Sequence, residues 1–369
     1  MKRYTIVIII TVFTNLCFSQ EKSKIFFNDS NNNSVKKIDH YKDKIYILGK
    51  KDIKNDNSSS CNTLLCLNNE LYRSFSIIST ENELFEDIVI DYKGNAFLIG
   101  HDNENCILIK INDRFKFKKI IFKDYDKFTE IIKFKKNLLI VASKHEVSLG
   151  LPVDMTYILF VNTKGQVVRK IKTTQNIGKK NICVSDEKIF LILNKYDPKN
   201  DKNTQPIICC YNLDGEKLWE KIITNEETGV DWKINIINVK ESLSGIYVLC
   251  ISKSNTLNET FLIFHINING EIIEKTVKDL ETIRNEISDN YDDLLMIPTK
   301  SDIKNSNSVR LTTVVKINSE NQLYFRTIRT DFELVDFFQN KKYIFLIGNF
   351  YKKNNKRAWK IYKYEKFNY

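Results

Sequence analysis

Acidic side chains that immediately precede short apolar runs are the residues of this sequence best placed to do chemistry. They recur at four separate positions along the chain: Asp87, Glu130, Glu286 and Glu333. If the fold brings them together, they could bind a cation or an amine, and two carboxyl groups about 5 to 9 Å apart could act as general acid and base. They could equally be solvated residues at the starts of strands, because acidic side chains are usually exposed.

Other catalytic and metal-binding patterns are missing from the sequence. The four histidines lie far apart and lack the spacing of a metal site: His40, His101, His145 and His265. We find no glycine-rich phosphate loop, no nucleophile elbow and no Cys/His pair that would form a nucleophile. The acidic stretches 197–201 and 289–293 offer oxygen atoms to calcium, but they also match ordinary acidic turns. We therefore predict no catalytic residues, no metal and no cofactor.

The start of the chain has the pattern of a secretory signal peptide. Lys2 and Arg3 precede an apolar run from Ile6 to Phe13, and small residues precede Gln20, so we predict a signal peptide over residues 1–19. Cys17 could instead be a lipidation site, although Leu16 before it is bulkier than that chemistry usually accepts. No later segment reaches the roughly 18 apolar residues of a membrane-spanning helix. We expect an exported protein that is periplasmic, outer-membrane-associated or extracellular, with no nucleic-acid partner.

The composition indicates a folded chain with a basic surface. Of 369 residues, 42% are hydrophobic and only four are proline, which allows a large ordered core. The formal net charge is +11, without a run of about five or more basic residues. This charge indicates either a solvated basic surface or a face for an anionic partner such as an acidic glycan or lipid headgroups. Most cysteines lie in apolar runs, so a disulfide framework is not expected.

Two sequence elements recur with a period of about 50 residues, which indicates a repeat architecture. The first is a turn that begins at Asn162, Asn212, Asn267 and Asn318. The second is a short apolar run whose seven copies end at Gly49, Gly100, Ala142, Leu193, Cys250, Pro298 and Gly348. Apolar runs of this length, rich in β-branched and aromatic residues, are typical of strands buried on both faces.

Each repeat has room for four strands. In the second unit we predict strand A at 88–91, strand B at 96–100, strand C at 107–111 and strand D at 115–122. Four strands per repeat in a radial arrangement define a β-propeller. We therefore predict an all-β fold, a seven-bladed β-propeller of four-stranded antiparallel blades, as a single domain over residues 20–369.

The last unit ends before a fourth strand can form. Strand C at Trp359–Tyr364 is followed by only five residues, whereas Ile25–Phe27 is an apolar strand left over at the other end. An open sheet edge exposes unpaired backbone groups. We therefore predict that the N-terminal strand fills the last blade and closes the ring.

One turn carries a family resemblance. Tyr211–Trp219 resembles the repeat of the quinoprotein-type (pyrroloquinoline-quinone-like) propeller family, in which a tryptophan after an Asp-Gly turn packs against the next blade. The other units that we compare carry Val168, Ile273 or Tyr324 in place of this tryptophan. The resemblance implies quinone-dependent oxidation of alcohols or sugars, and some members form a disulfide between adjacent cysteines beside the cofactor. Cys209-Cys210 is such a pair, but in a strand successive side chains point to opposite faces.

The propeller hypothesis places the candidate residues on one face. Strand A lines the central channel of a propeller, so the four carboxylates are expected to ring one mouth. The B-to-C connections on that face are long in four units: Lys50–Ser60, Ser143–Thr156, Asn194–Pro206 and Thr299–Val309. Variable loops on a rigid scaffold often bind ligands. We interpret the protein as an exported, non-enzymatic propeller that binds a protein or glycan through this long-loop face. The alternatives are a hydrolase or a quinone-dependent oxidoreductase with a site in the central depression, and a lipid-anchored subunit of an envelope complex.

Overall fold

The computed structural model describes sixteen segments of the chain: residues 22–26, 33–52, 60–79, 83–148, 151–175, 180–196, 204–223, 233–242, 244–253, 259–279, 294–297, 310–317, 323–330, 332–339, 343–351 and 357–365. The predicted signal peptide (1–19), Glu286 and the connection 299–309 lie outside these segments. Within them, no helix has the length and apolar character needed to cross a bilayer.

The described strands are antiparallel and form seven sheets, which we number in chain order. The first sheet contains β2 (Ser34–Tyr41), β3 (Lys44–Asp52), β4 (Ser60–Asn68) and β5 (Arg73–Ile78). The second contains β6 (Leu84–Ile90), β7 (Ala96–His101), β8 (Cys106–Ile111) and β9 (Phe117–Phe122). The third contains β10 (Lys127–Phe134), β11 (Asn137–Ser148), β12 (Leu151–Asn162) and β13 (Val167–Gln175). In all three, the strands pair in chain order as a meander.

The fourth and fifth sheets repeat this plan. The fourth contains β14 (Lys180–Ser185), β15 (Lys188–Tyr196), β16 (Thr204–Tyr211) and β17 (Lys217–Ile222). The fifth contains β18 (Lys233–Ser242), β19 (Gly245–Lys253), β20 (Glu259–Asn267) and β21 (Ile272–Asp279). The sixth shows three strands among the described residues: β22 (Leu294–Ile297), β23 (Arg310–Ile317) and β24 (Leu323–Thr330).

The seventh sheet joins strands from both ends of the described chain. It contains β25 (Glu333–Gln339), β26 (Tyr343–Tyr351), β27 (Arg357–Glu365) and β1 (Lys22–Phe26). β1 pairs antiparallel with β27, and Phe26 lies opposite Trp359. Trp359 is fully buried, in a cluster shared with the first sheet. The N-terminal strand therefore covers the edge of β27, as the missing fourth strand of the last repeat requires.

The recurring asparagines organise the turns between the third and fourth strands of the sheets. The Asn162 side chain accepts hydrogen bonds from the main-chain N–H groups of Lys164 and Gln166, both at 3.0 Å. The fourth turn residue has a positive φ, 90° at Gly165, which favours glycine. Leu71 and Phe115 adopt the same conformation, with φ of 64° and 61°. Because neither is glycine, the sequence pattern missed the turns of the first two sheets.

The same turns hold neighbouring sheets together at their outer edges. A Cβ on Gly270 would lie only 3.0 Å from the ring of Trp219, whose indole N–H donates to the carbonyl of Ile268 at 2.9 Å. This contact confirms that Trp219 packs against the next sheet. In the preceding sheet the residue at the register position of Trp219 is Arg169, which donates to the carbonyl of Leu213. The sequence comparison with Val168 and Ile273 was wrong by one residue, because these two correspond to Leu218, the extra residue of the β-bulge in β17.

Apolar clusters between adjacent sheets form the core. Cys209 packs in the cluster between the third and fourth sheets, whereas Cys210 packs in the cluster between the fourth and fifth sheets. The adjacent cysteines therefore point to opposite faces of β16, as strand geometry predicts. All seven cysteines in the described part of the chain are free thiols.

Deleting residues 20–28 should destabilise the protein, because it uncovers the edge of β27 beside Trp359. We expect the melting temperature to fall by about 5 °C or more and aggregation to increase with concentration, as measured by calorimetry and light scattering. Shortening the connection 53–59 by three residues is the matched control and should be nearly neutral. A deletion variant that melts like the parent would contradict the role given to β1.

Candidate functional site

The first strands of neighbouring sheets lie side by side. β2 contacts both β6 and β25, β10 contacts both β6 and β14, and β14 contacts β18. A β-bulge interrupts β2, β6, β10, β18 and β25 near the start of each strand. We call six residues the inner ring. They are the residue that follows each of these bulges and the residue at the same register in β14: Lys37, Asp87, Glu130, Asn181, Asn238 and Asp336.

Two of the four predicted site residues belong to the inner ring. Asp87 and Glu130 both follow bulges. Glu333 instead opens β25, opposite Asn349, and Asp336 occupies the ring position of that strand. Glu286 lies outside the described residues. The pairing of β25 with β26 identifies Asp336. Each ring residue lies opposite the next-to-last residue of the apolar run in the second strand of its sheet.

Ring carboxylates join the first strands of adjacent sheets. Asp336 Oδ2 accepts a hydrogen bond from the main-chain N–H of Ile38 at 2.9 Å, across the junction of the seventh and first sheets. The N–H of Ile131 donates to Asp87 Oδ2 at 3.0 Å in the same way. At the next junction, the N–H of Ile182 donates to Glu130 Oε2 at 2.9 Å. We call this contact the carboxylate clasp.

The junction between the first and second sheets uses different residues. Lys37 holds the ring position of the first sheet and cannot accept a hydrogen bond. Asp39, two residues later, accepts instead from the N–H of Ile90 at 2.8 Å. The Lys37 Nζ atom lies 2.6 Å from Asp87 Oδ1 and so links the same two sheets by charge.

Burial and charge shift the protonation of the ring. Burial alone lowers the pKa of Lys37, but the negative charges of Asp87, Glu130 and Asp336 outweigh it and raise the pKa. Burial raises the pKa of Asp336 to about 6, against the opposing effects of the Ile38 N–H and of Lys37. Lys37 therefore stays charged at neutral pH, whereas Asp336 exchanges its proton in the mildly acidic range.

The clasps engage Asp87 and Glu130, two of the four acidic groups that the sequence offered for catalysis. Asp87 is only 4% exposed and also accepts from the N–H of Ile88 at 2.7 Å. Within the segments that the structure describes, no three His, Cys, Asp or Glu side chains converge as metal ligands. Burial lowers the pKa of His265, whose Nε2 lies 2.9 Å from the Ser242 hydroxyl. Burial also lowers the pKa of His40, which stacks on Phe338. Both histidines are packed within the sheets.

The long connection predicted at Ser143–Thr156 is a β-ribbon. β11 and β12 remain paired from Ser143 opposite Thr156 to Ser148 opposite Leu151, beyond the point where β10 ends its pairing. Val147 on this ribbon is 78% exposed. The Lys172 ammonium lies 2.6 Å from Glu146 and ties the base of the ribbon to β13. The strands of the fourth sheet also extend into the predicted long connection, to Tyr196 opposite Thr204.

Comparison with solved structures shows a β-propeller fold. The chain is similar to the acylaminoacyl peptidase of Pyrococcus horikoshii, with a TM-score of 0.53 and 13% identity over 94% of this chain and 54% of that chain. It is also similar to the β-propeller domain of the Trilobed protease from Pyrococcus furiosus, with a TM-score of 0.52 and 11% identity over 92% of this chain and 99% of that domain. For the polysaccharide lyase Uly1, the TM-score is 0.58 and the identity 9%, over 92% of this chain and 90% of the lyase.

These similarities show the fold and no specific activity. The chain spans about half the length of the peptidase. No protein-family model and no curated protein matches the chain, so membership of the quinoprotein-type family is not established. The protease propeller is described as having an open velcro topology, whereas in the present chain β1 pairs with β27.

Replacing Asp336 with asparagine should change how stability depends on pH. The folded-state pKa of Asp336 lies above its ordinary value of 3.8, at about 6, so the folded state binds the proton more tightly than the unfolded state. The resulting stabilisation is fully present below about pH 4 and is lost as the pH rises through about 6. Relative to Asp336→Asn, the parent should therefore be more stable at about pH 4.5 than at about pH 7.5, by about 1–2 kcal/mol.

Urea unfolding of both proteins at the two pH values measures this difference. Asp214→Asn, at an exposed turn position, is the matched control and should show no such change. A difference between parent and Asp336→Asn that is constant with pH, or of opposite sign, would contradict the assignment of a raised pKa to Asp336.

Proposed function

We propose that the protein is an exported, non-enzymatic β-propeller that binds a protein or a glycan through its long-loop face. In this proposal residues 20–369 form one domain, and the seven sheets are the blades of a closed ring. Three contacts support closure: consecutive first strands adjoin from β2 to β18, β25 adjoins β2, and β1 completes the sheet of β27. The pattern of residues 1–19 supports export.

The carboxylate clasps are the observation that favours binding over catalysis. A general acid or base must reach a proton on the substrate. Asp87 instead accepts two main-chain N–H groups and faces Lys37, so its oxygens are already engaged. Asp336 accepts from the N–H groups of Ile38 and Phe337, both at 2.9 Å. These acids stabilise the inner ring. We therefore assign ligand binding to the surface around it.

The β-ribbon of the third sheet supports the choice of face. It extends beyond the meander at the end of the sheet where the ring residues and the long connections lie. The ribbon carries an exposed apolar side chain, Val147, that a partner could cover. Loops and strand edges on rigid scaffolds commonly bind other chains.

A hydrolase or quinone-dependent oxidoreductase is the alternative. Its support is the likeness in fold to a peptidase and a polysaccharide lyase. For quinone chemistry, the adjacent cysteines are unfavourable, since they are buried in different clusters on opposite faces of β16. Turnover of a bound glycan, detected as new reducing ends or unsaturated sugars, would favour this alternative over a binding role.

A ribbon deletion tests the proposed face. In the variant, residues 144–155 are replaced by an Asn-Gly turn that joins the paired residues Ser143 and Thr156. We expect this variant to fold like the parent but to lose at least about tenfold in affinity for the ligands that the full-length protein binds on a glycan array or captures from envelope extract.

The matched control lies on the opposite face. Lys164→Glu changes an exposed turn residue between β12 and β13 and should leave binding unchanged. Equal binding by the parent and the ribbon variant, or equal loss in both variants, would count against the long-loop face. Cell fractionation tests export separately: recovery of the protein in the cytoplasm, with residues 1–19 retained, would overturn that part of the proposal.

A further inference from the structure

A group of charged side chains surrounds Glu86 beside the inner ring. Glu86 is the bulged residue of β6, and its carboxylate lies 3.3 Å from Lys36 Nζ, 3.5 Å from Lys127 Nζ and 3.7 Å from His101 Nε2. Lys36 is the bulged residue of β2, His101 ends β7, and Lys127 begins β10. Three consecutive sheets therefore contribute to what we call the Glu86 cluster, at the end of the sheets that carries the long connections.

The β-bulges explain why this cluster exists beside the clasps. A bulge inserts one extra residue and re-aims the side chains around it. Asp87 joins the clasp to Ile131, and its neighbour Glu86 is directed to the lysines instead. The Lys36 ammonium also donates to the carbonyl of Phe85 at 2.5 Å, which fixes its position.

The cluster carries more positive than negative charge. One carboxylate faces two lysines, and Lys50 is close enough to Lys36 to affect its protonation. Burial, together with repulsion from Lys50 and Lys127, holds the pKa of Lys36 below its ordinary value despite the attraction of Glu86. Burial raises the pKa of Glu86, but Lys36 and Lys127 outweigh it and lower the pKa. A bound anion would offset the repulsion between the lysines.

We propose that the Glu86 cluster binds a uronic acid residue of an acidic glycan. The carboxylate of such a sugar can accept hydrogen bonds from Lys36 and Lys127, and its hydroxyl groups can donate to Glu86. A simple anion offers acceptors to the lysines but no donor to Glu86, whereas a sugar acid offers both a carboxylate acceptor and hydroxyl donors. The inference rests on the proposed function and specifies the ligand class of the long-loop face.

The exposure of the cluster favours a chain molecule over a lipid surface. The side chains of Lys36, Glu86 and His101 are about one quarter exposed, at 25%, 24% and 24%, and only Lys127 reaches 50%. A flat anionic membrane contacts protruding lysines. A flexible oligosaccharide can place a single acidic sugar into a partly recessed position.

Titration calorimetry with tetragalacturonate tests the site on the full chain. Fully methyl-esterified tetragalacturonate is the matched neutral ligand. We expect the double variant Lys36→Met/Lys127→Met to bind tetragalacturonate at least about tenfold more weakly than the parent, and Lys127→Met alone about threefold more weakly. Lys118→Met removes the same charge from an exposed position on β9 and should stay within about twofold. Raising the salt concentration should weaken binding by the parent.

Several outcomes would overturn the inference. They are the absence of tetragalacturonate binding at millimolar concentration, equal binding of the methyl ester, equal loss in Lys118→Met, or tighter binding to poly-glutamate or phosphatidylglycerol vesicles. The Lys127 side chain is half exposed, so the Lys127→Met variant should keep the fold even if the double variant does not. If a different ligand binds and its binding requires the ribbon but not Lys36 and Lys127, this site is overturned and the proposed function stands.

Discussion

The junctions from the seventh sheet through the first to the fourth depend on how the first strands satisfy their inward-facing N–H groups. The inner edge of such a strand has no further strand to pair with, and a buried N–H without an acceptor is costly. Asp336, Asp87 and Glu130 supply acceptors from the neighbouring sheet, and Asp39 does so where Lys37 replaces the ring acid. Each clasp satisfies an edge and fixes the spacing of two sheets with one interaction.

The outer edges are joined by a complementary device. There, carbonyl groups of the turns accept hydrogen bonds from basic or aromatic side chains of the preceding sheet, including Lys44, Lys110 and Trp219. Carboxylates on the first strands and side-chain N–H donors at the outer turns thus hold adjacent sheets together at both their inner and their outer edges. Several Lys and Asp residues of this chain are therefore used within the scaffold, which limits what its net charge says about partners.

The sequence predicted the strands and the glycine-containing turns well because their signals are local. Apolar runs of β7 and β26 and the Asn-x-x-Gly turns fall where they were expected. The site was predicted less well, because Glu333 and Asp336 both precede apolar residues and only the strand pairing distinguishes them. Asp336 was therefore overlooked in favour of Glu333. Extension of β11 and β12 into a ribbon was also missed, since polar residues in a strand and in a loop look alike.

Amide hydrogen exchange at Ile131 tests most directly whether the carboxylate clasps hold the ring. We predict that this N–H exchanges at least about 100-fold more slowly than an exposed amide in the parent. In Asp87→Ala it should lose more protection than the amide of Leu108, which reports the general stability of the second sheet. If the Ile131 amide exchanges as fast as an exposed one in the parent, or if Asp87→Ala leaves it unchanged, the clasp account is contradicted.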